Sequence, residues 1–428
     1  MVVEPMVKWA KVARLACLIF IAMQLTGGVV RWVLDMAGAA VLTYVPNLMM
    51  LGCAGFVLVY DLWTQRTTRG VLLFLLMLAL AMAIGWRNTH SVPQVVFHVW
   101  VLTPFLFGLA CSPVIMNIDR VGMWVLIGIF VIAAGGTVVN SAVEYPWVGV
   151  SYSIGNVEVE GAREWYVEGG HQRLSGLARS SFDVAGQILM AAALLALYVP
   201  KGWIRTFIWL LAGAAISLST SKGILLAMLM TAFAVEAAHR RHTRGMAAIV
   251  FLGAVWLFVP PVLGWSLDWS EKARTDIDNP LYGSFIDRMN DMWPRAWELG
   301  TTHGLPPLGR GLGGIGVPVS IWEPELANAG DNLFVYCLAI IGVLAVPLFI
   351  AGYITFFRLC KKLDSEVVRL TMVMAVAVNW YGGVSNIVEH AFLALGFGLV
   401  TRSFVAEMAG TFYKSEVPDR SPSPTSVA

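Results

Sequence analysis

Charge is scarce in this chain. Asp, Glu, Lys and Arg make up 13% of its 428 residues, against about 25% in soluble domains. With 58% hydrophobic residues and a mean hydropathy of +0.71, the shortage excludes an ordinary soluble domain. Cysteine is as rare. Cys17, Cys53, Cys111, Cys337 and Cys360 all lie in or beside apolar runs, which argues against a disulfide framework and a Cys-based zinc site. The metal-ligand spacings HExxH and clustered Asp with a Gly turn are missing. The polar-in alternation of a membrane barrel is missing too. The net charge of +2 says nothing about partners; no nucleic-acid partner is expected.

What is present is an alternation of apolar runs with short polar connections. Stretches of roughly 17–25 apolar residues match a hydrocarbon core about 30 Å thick. About twelve are read here, at 13–30, 40–60, 71–86, 93–111, 121–140, 182–199, 204–219, 223–238, 246–264, 332–356, 367–383 and 388–406. Lipid-exposed backbone must bond to itself, so all should be helices. The fold class expected is all-α and polytopic, a single membrane domain over 1–414 with a disordered tail at 415–428. The basic start and first apolar run read as a retained span rather than a cleaved signal. The denser basic clusters, Lys8, Lys11 and Arg14, His239-Arg240-Arg241-His242 and Lys361-Lys362, fall on one side. The positive-inside rule then places both termini in the cytoplasm.

Two connections break the pattern by their length: 141–181 and 265–330. Both fall on the outer side, periplasmic in a bacterium, where they are expected to cap a cavity. The first closes on Arg173-Leu-Ser-Gly-Leu-Ala-Arg179. The second holds Phe285, Met289, Met292, Trp293, Ala296 and Trp297 at helical spacing. That pattern predicts an amphipathic helix near 285–299, kinked by Pro294. A glycine-rich run, 309–316, follows. It is not a Walker loop, and reads either as an anion nest or as a flexible connection needing positive φ.

Several side chains here suit an anion. Arg288 and Arg295 lie two turns apart on roughly one face, and guanidinium forks fit phosphate oxygens. The plain alternative is helix-surface ion pairing, Arg288 with Asp291 and Asp291 with Arg295. Arg173 and Arg179 either line the same cavity or anchor at headgroups. Lys222, in Ser219-Thr-Ser-Lys-Gly223 between two apolar runs, is a candidate by its position. Asp331 opens a helix and is either an N-cap or a general base. His303 and the pair Glu389-His390 are further base candidates. Trp265, Trp269, Trp293, Trp297 and Trp322 either stack on sugars or form an interfacial belt.

Three of these segments give the chain a resemblance. Arg173-Leu-Ser-Gly176 followed by Ser221-Lys222-Gly223, then Arg288, Trp293, Ala296 and His303 through Leu308-Gly309-Arg310-Gly311, then Asp331-Asn332-Leu-Phe with Ile341-Gly342, resemble in order and spacing the O-antigen ligase / Wzy-type polymerase superfamily, best over about 170–350. That family has about twelve helices and a periplasmic loop domain over a cavity. The resemblance implies a metal-independent, inverting glycosyltransferase of the bacterial inner membrane that needs no cofactor and whose donor is a glycan on undecaprenyl pyrophosphate.

By the same resemblance Arg173, Arg179, Lys222, Arg288 and Arg295 hold the pyrophosphate, Asp331 and His303 serve catalysis with Arg288, and Trp293, Trp297 and Trp322 meet the glycan. The ligase branch typically has His where Asp331 stands, which favours polymerisation of O-antigen, capsular or exopolysaccharide repeats. Membrane lipids, a chain-length regulator and a flippase are the accompanying partners. The alternatives are an O-antigen ligase acting on lipid A-core and a transporter of lipid-linked glycans. Against transport, no matching pair of Gly/Pro-broken spans stands out in the two halves.

Overall fold

The computed structural model describes residues 3–410 apart from 65–68, 117, 155–156, 167–169, 171, 277–278 and 280–281; the tail expected at 415–428 lies outside the described residues. The protein is 76% helical, and its architecture is that of an all-α polytopic membrane protein. Each of the twelve apolar stretches falls largely on helix. Among the described residues, eight helices are long and apolar enough to cross a membrane, or ten if each of two bent pairs is one span.

The bends explain part of the difference from twelve. The first helix, α1 (Val3–Leu25), meets α2 (Gly27–Met36) at 87°. Thr26 sits at the corner, its hydroxyl donating to Ala22 O at 2.8 Å. After α3 (Val45–Trp63) and α4 (Arg69–Thr89), α5 (Val92–Val101) meets α6 (Thr103–Ile115) at 45°. Pro104 opens α6 and brings no amide to continue the ladder. Length explains the rest. Both α9 (Gly202–Leu218) and α18 (Glu366–Gly382) have 17 residues, and α18 carries Glu366 and Arg369 in its first turns.

The remaining long helices are α7 (Arg120–Asn140), α8 (Ser181–Tyr198), α10 (Lys222–His239), α11 (Thr243–Ser266), α16 (Leu333–Ile341) continued by α17 (Ala345–Cys360), and α19 (Ala391–Met408). Helices α8 and α18 run through the middle, with nearly every residue buried. Small residues make this possible, since lipid gives helices no hydrophobic reason to associate and close backbone packing must supply the attraction. Gly108 of α6 and Gly398 of α19 show it: a Cβ on Gly398 would stand 2.1 Å from Phe105 O, and one on Gly108 would stand 2.4 Å from Leu395 O. The outside is the reverse of a soluble surface. Leu76, Leu210, Phe233 and Phe251 are all exposed, as a lipid-facing perimeter requires.

The two long connections are not alike. The first holds a small hairpin, β1 (Ser151–Ile154) paired antiparallel with β2 (Val157–Glu160). Trp147, just before the hairpin, packs on the first bend, where a Cβ on Gly28 would be 2.7 Å from it. The second is helical: α12 (Ser270–Asp276), α13 (Gly283–Asp287), α14 (Trp293–Thr301) and α15 (Val317–Trp322). The amphipathic helix expected near 285–299 is present but interrupted. Residues Arg288–Met292 form a π turn between α13 and α14. Pro294 lacks the amide that would bond four residues back and its ring crowds that carbonyl, and a widened turn relieves both.

The glycine-rich run is neither flexible nor an anion nest. Gly309 through Gly316 are buried, threaded between α4 and α16. The amides of Arg310 and Gly311 donate to Ala339 O and Ile340 O, and that of Leu312 to Ala81 O. A Cβ on Gly311 would lie 2.0 Å from the amide of Gly85, at a φ of +82°. The expected positive φ is therefore there, but the amides are already used.

Candidate functional site

A cavity of about 960 Å³ opens at one end of the bundle. Its walls come from both long connections, the starts of α8 and α10, and the link between α18 and α19. These are the ends that an alternating helix order brings together. Arg173, Arg179, Lys222, Arg288, Arg295 and Asp331 all line it, though they are spread over about 160 positions of sequence. Arg163 joins them, so six cationic side chains converge; five carboxylates, Asp183, Asp287, Asp291, Asp331 and Glu389, share the walls.

Arg288 stands on the π turn. It donates through one Nη to Ser284 O at 2.8 Å and through the other to Asp331 Oδ2 at 2.7 Å. The expected pairing of Arg288 with Asp291 is absent, because the widened turn directs Arg288 across to α16. Asp291 pairs instead with Arg295, at 3.3 Å. Asp331 is not the helix cap. Asn332 is: its Oδ1 accepts from the amides of Phe334 and Val335, and its Nδ2 donates to Leu257 O and Gly383 O. One fully buried amide thus ties α16 to α11 and α18 and leaves the Asp331 carboxylate free to meet Arg288.

The first connection supplies the opposite wall. The Arg173 guanidinium lies over the rings of Trp165 and Phe182, and Arg163 lies over Trp165. Burial, helped by the neighbouring charges of Arg31 and Arg163, lowers the Arg179 pKa to about 10, which still leaves it charged at neutral pH. Two guanidiniums have an unused donor: Nε of Arg179 and Nε of Arg288 are buried without a hydrogen-bond partner among the described residues. Lys222 is exposed to the cavity at the start of α10, after a turn in which Thr220 takes a φ of +54°.

Other expected residues stand elsewhere. Trp293 is fully buried and touches no sugar-sized space; its indole donates to Asp331 O at 3.2 Å. It supports the cavity from behind. Trp297 packs on Trp265 and Trp322 on Phe97, both outside the cavity walls. His303 is exposed and also off the walls. Arg295 of α14 and Val317 and Ser320 of α15 do line the cavity, so Trp297 and Trp322 stand on other faces of helices that reach it, which spacing alone does not reveal.

Sequence reading passed over Asp183, Arg163 and the ring of Trp165, and gave Glu389-His390 little weight. Asp183 lies in the first turn of α8, held by the Ser180 hydroxyl at 2.8 Å, and its Oδ1 is 3.8 Å from His390 Nδ1. His390 Nε2 is 2.9 Å from the Ser385 hydroxyl. Glu389 Oε1 accepts from the Val317 amide at 2.8 Å and from the Tyr336 hydroxyl at 3.2 Å. Burial is the main cause that pushes the Glu389 pKa up to about 7, and burial with the nearby Asp291 also raises that of Asp287. The cationic side chains on the walls outnumber the carboxylates, six to five. Acidic residues beside apolar runs were the available signal.

Among the described residues no group of three or more His, Cys, Asp or Glu side chains could hold a metal ion. Compared with known proteins, the chain matches no family model, no curated protein and no solved structure.

Proposed function

We propose that the protein is a glycosyltransferase that polymerises undecaprenyl-pyrophosphate-linked oligosaccharide repeats into O-antigen, capsular or exopolysaccharide, without a metal and with inversion. The observation that carries this reading is the convergence of Arg163, Arg173, Arg179, Lys222, Arg288 and Arg295 on one large cavity at the bundle end, with two buried guanidinium donors unmatched. A pyrophosphate offers the charge and the acceptor oxygens that those donors lack. A cavity of about 960 Å³ leaves room for sugars beside it.

In this reading both long connections face the periplasm and both termini the cytoplasm of a bacterial inner membrane, with the lipid-linked donor reaching the cavity from the bilayer. Arg288, Arg173, Arg179 and Lys222 grip the pyrophosphate and stabilise the charge that grows on it as it leaves, the kind of preorganised contribution that is often the largest in catalysis. Asp331 aligns Arg288 for this, through the 2.7 Å contact. The sugar hydroxyl attacks the anomeric carbon from the side opposite the pyrophosphate, hence inversion.

The test is a reaction of purified protein with one defined undecaprenyl-pyrophosphate oligosaccharide. A ladder of multiples with free lipid pyrophosphate released is expected. Product only after lipid A-core is added would make the protein a ligase, and donor binding without turnover would make it a transporter. Arg288→Ala should cut extension by roughly 10²-fold or more while the protein stays folded in membranes; wild-type chain lengths would end the assignment of Arg288.

A further inference from the structure

Direct displacement needs a group that takes the proton from the attacking hydroxyl. Six carboxyl and imidazole groups line the cavity: Asp183 is held by Ser180, Asp291 by Arg295, and Asp287 stands beside the charges of Asp291 and Arg288, which leaves Asp331, His390 and Glu389. Asp331 Oδ2 is engaged with Arg288 at 2.7 Å. His390 is engaged on both ring nitrogens, with Ser385 at 2.9 Å and beside Asp183 at 3.8 Å. Glu389 differs. Oε1 is held by two donors, while Oε2 has no hydrogen-bond partner among the described residues.

The hold on Oε1 is built from behind. The Gly313 amide donates to His98 Nδ1 at 2.7 Å, so that nitrogen carries no proton. In the neutral ring the proton then sits on Nε2, which is 2.8 Å from the Tyr336 oxygen. With its oxygen receiving that proton, the Tyr336 hydroxyl has its own to give to Glu389. His98 is fully buried and Tyr336 nearly so, so the direction of this chain is fixed by packing. Gly316 completes the seat: a Cβ there would lie 1.9 Å from Oε1.

We infer that Glu389 is the general base of the proposed transfer, with Tyr336 and His98 as positioning residues; this rests on the glycosyltransferase reading. The acceptor hydroxyl gives its proton to Glu389 Oε2. Its oxygen forms the new bond to the anomeric carbon. The bond from that carbon to the phosphate oxygen breaks, and its electron pair leaves with the pyrophosphate. Glu389 then releases the proton to water. Asp331 raises its proton affinity and His390, when protonated, lowers it. A base that titrates near the working pH is the efficient kind.

The experiment compares wild type, Glu389→Gln, Asp331→Asn and Tyr336→Phe in nanodiscs, with one defined undecaprenyl-pyrophosphate oligosaccharide. Turnover and equilibrium binding of the donor are both measured from pH 5 to 9. Glu389→Gln should lose turnover by roughly 10²–10⁴-fold with donor affinity unchanged, while Asp331→Asn should weaken donor binding. The wild-type rate should rise through pH about 7. Tyr336→Phe removes a donor to the ionised form, so its profile should move to higher pH. Glu389→Gln within about 3-fold of wild type overturns the assignment. Should that variant misfold, the Tyr336→Phe profile decides: a shift supports the role and an unmoved profile overturns it. A wild type that binds donor but forms no product with any acceptor removes the underlying reading itself.

Discussion

Two adjacent residues, Asp331 and Asn332, show how far a sequence can be read. Either could cap the helix that follows, and both are good caps. The backbone decides, and it gives the cap to Asn332. What makes Asn332 unusual is its other end, which donates to carbonyls of two distant helices. Those partners are 75 and 51 positions away, so no local pattern announces them. Asn332→Ala should lose the cap and strand two buried carbonyls, costing on the order of 3 kcal/mol. A fall in thermal midpoint of the detergent-solubilised protein would register it, and an unchanged midpoint would refute the bracing role. The cations were easier to find. Arg173, Arg179, Lys222, Arg288 and Arg295 stand out against a chain with so little charge, and all five line one cavity. The aromatic residues were not legible in this way, because Trp293 and Trp297 share a helix turn yet one is fully buried and the other 45% exposed.

At the level of elements, hydropathy located the helices because the membrane imposes a length on them. It could not locate the corner at Thr26 or the one at Leu102, since both lie within continuous apolar sequence. Nor did periodicity reveal the π turn, although Pro294 marked the place. That turn holds one residue more than an α-helix needs. Removing Asn290, which is exposed, should take out the extra residue and join α13 and α14 as one helix bent at Pro294. Arg288 would then swing by about 100° relative to Trp293 and lose Asp331. Helical content by circular dichroism should hold or rise, and donor binding should fall about 10-fold or more. Undiminished binding would show that the widened turn does not place Arg288.

For the whole molecule, stability should depend on pH through the carboxylate that burial disfavours in its charged form. The Glu389 pKa is raised from 4.5 to about 7. A group raised in the fold contributes stability that is complete below its unfolded value and is lost as pH rises through its folded value. The melting temperature of the wild type should therefore fall between pH about 4.5 and about 7 by more than that of Glu389→Gln. Parallel curves for the two proteins would contradict the burial argument. Arg179, lowered to about 10, keeps its charge across that window and does not confuse the comparison.

The buried glycine run also has a meaning for how the chain is made. Its carbonyls and amides are the partners of groups on early helices: Asn88 donates to Arg310 O, Gln94 to Gly313 O, and His98 accepts from the Gly313 amide. A ribosome delivers α4 and α5 more than 200 positions before those partners emerge. Until then polar groups meant for the interior stand in lipid or against the translocation machinery. The first helices must wait, half assembled, for a strand of glycines to be drawn between them.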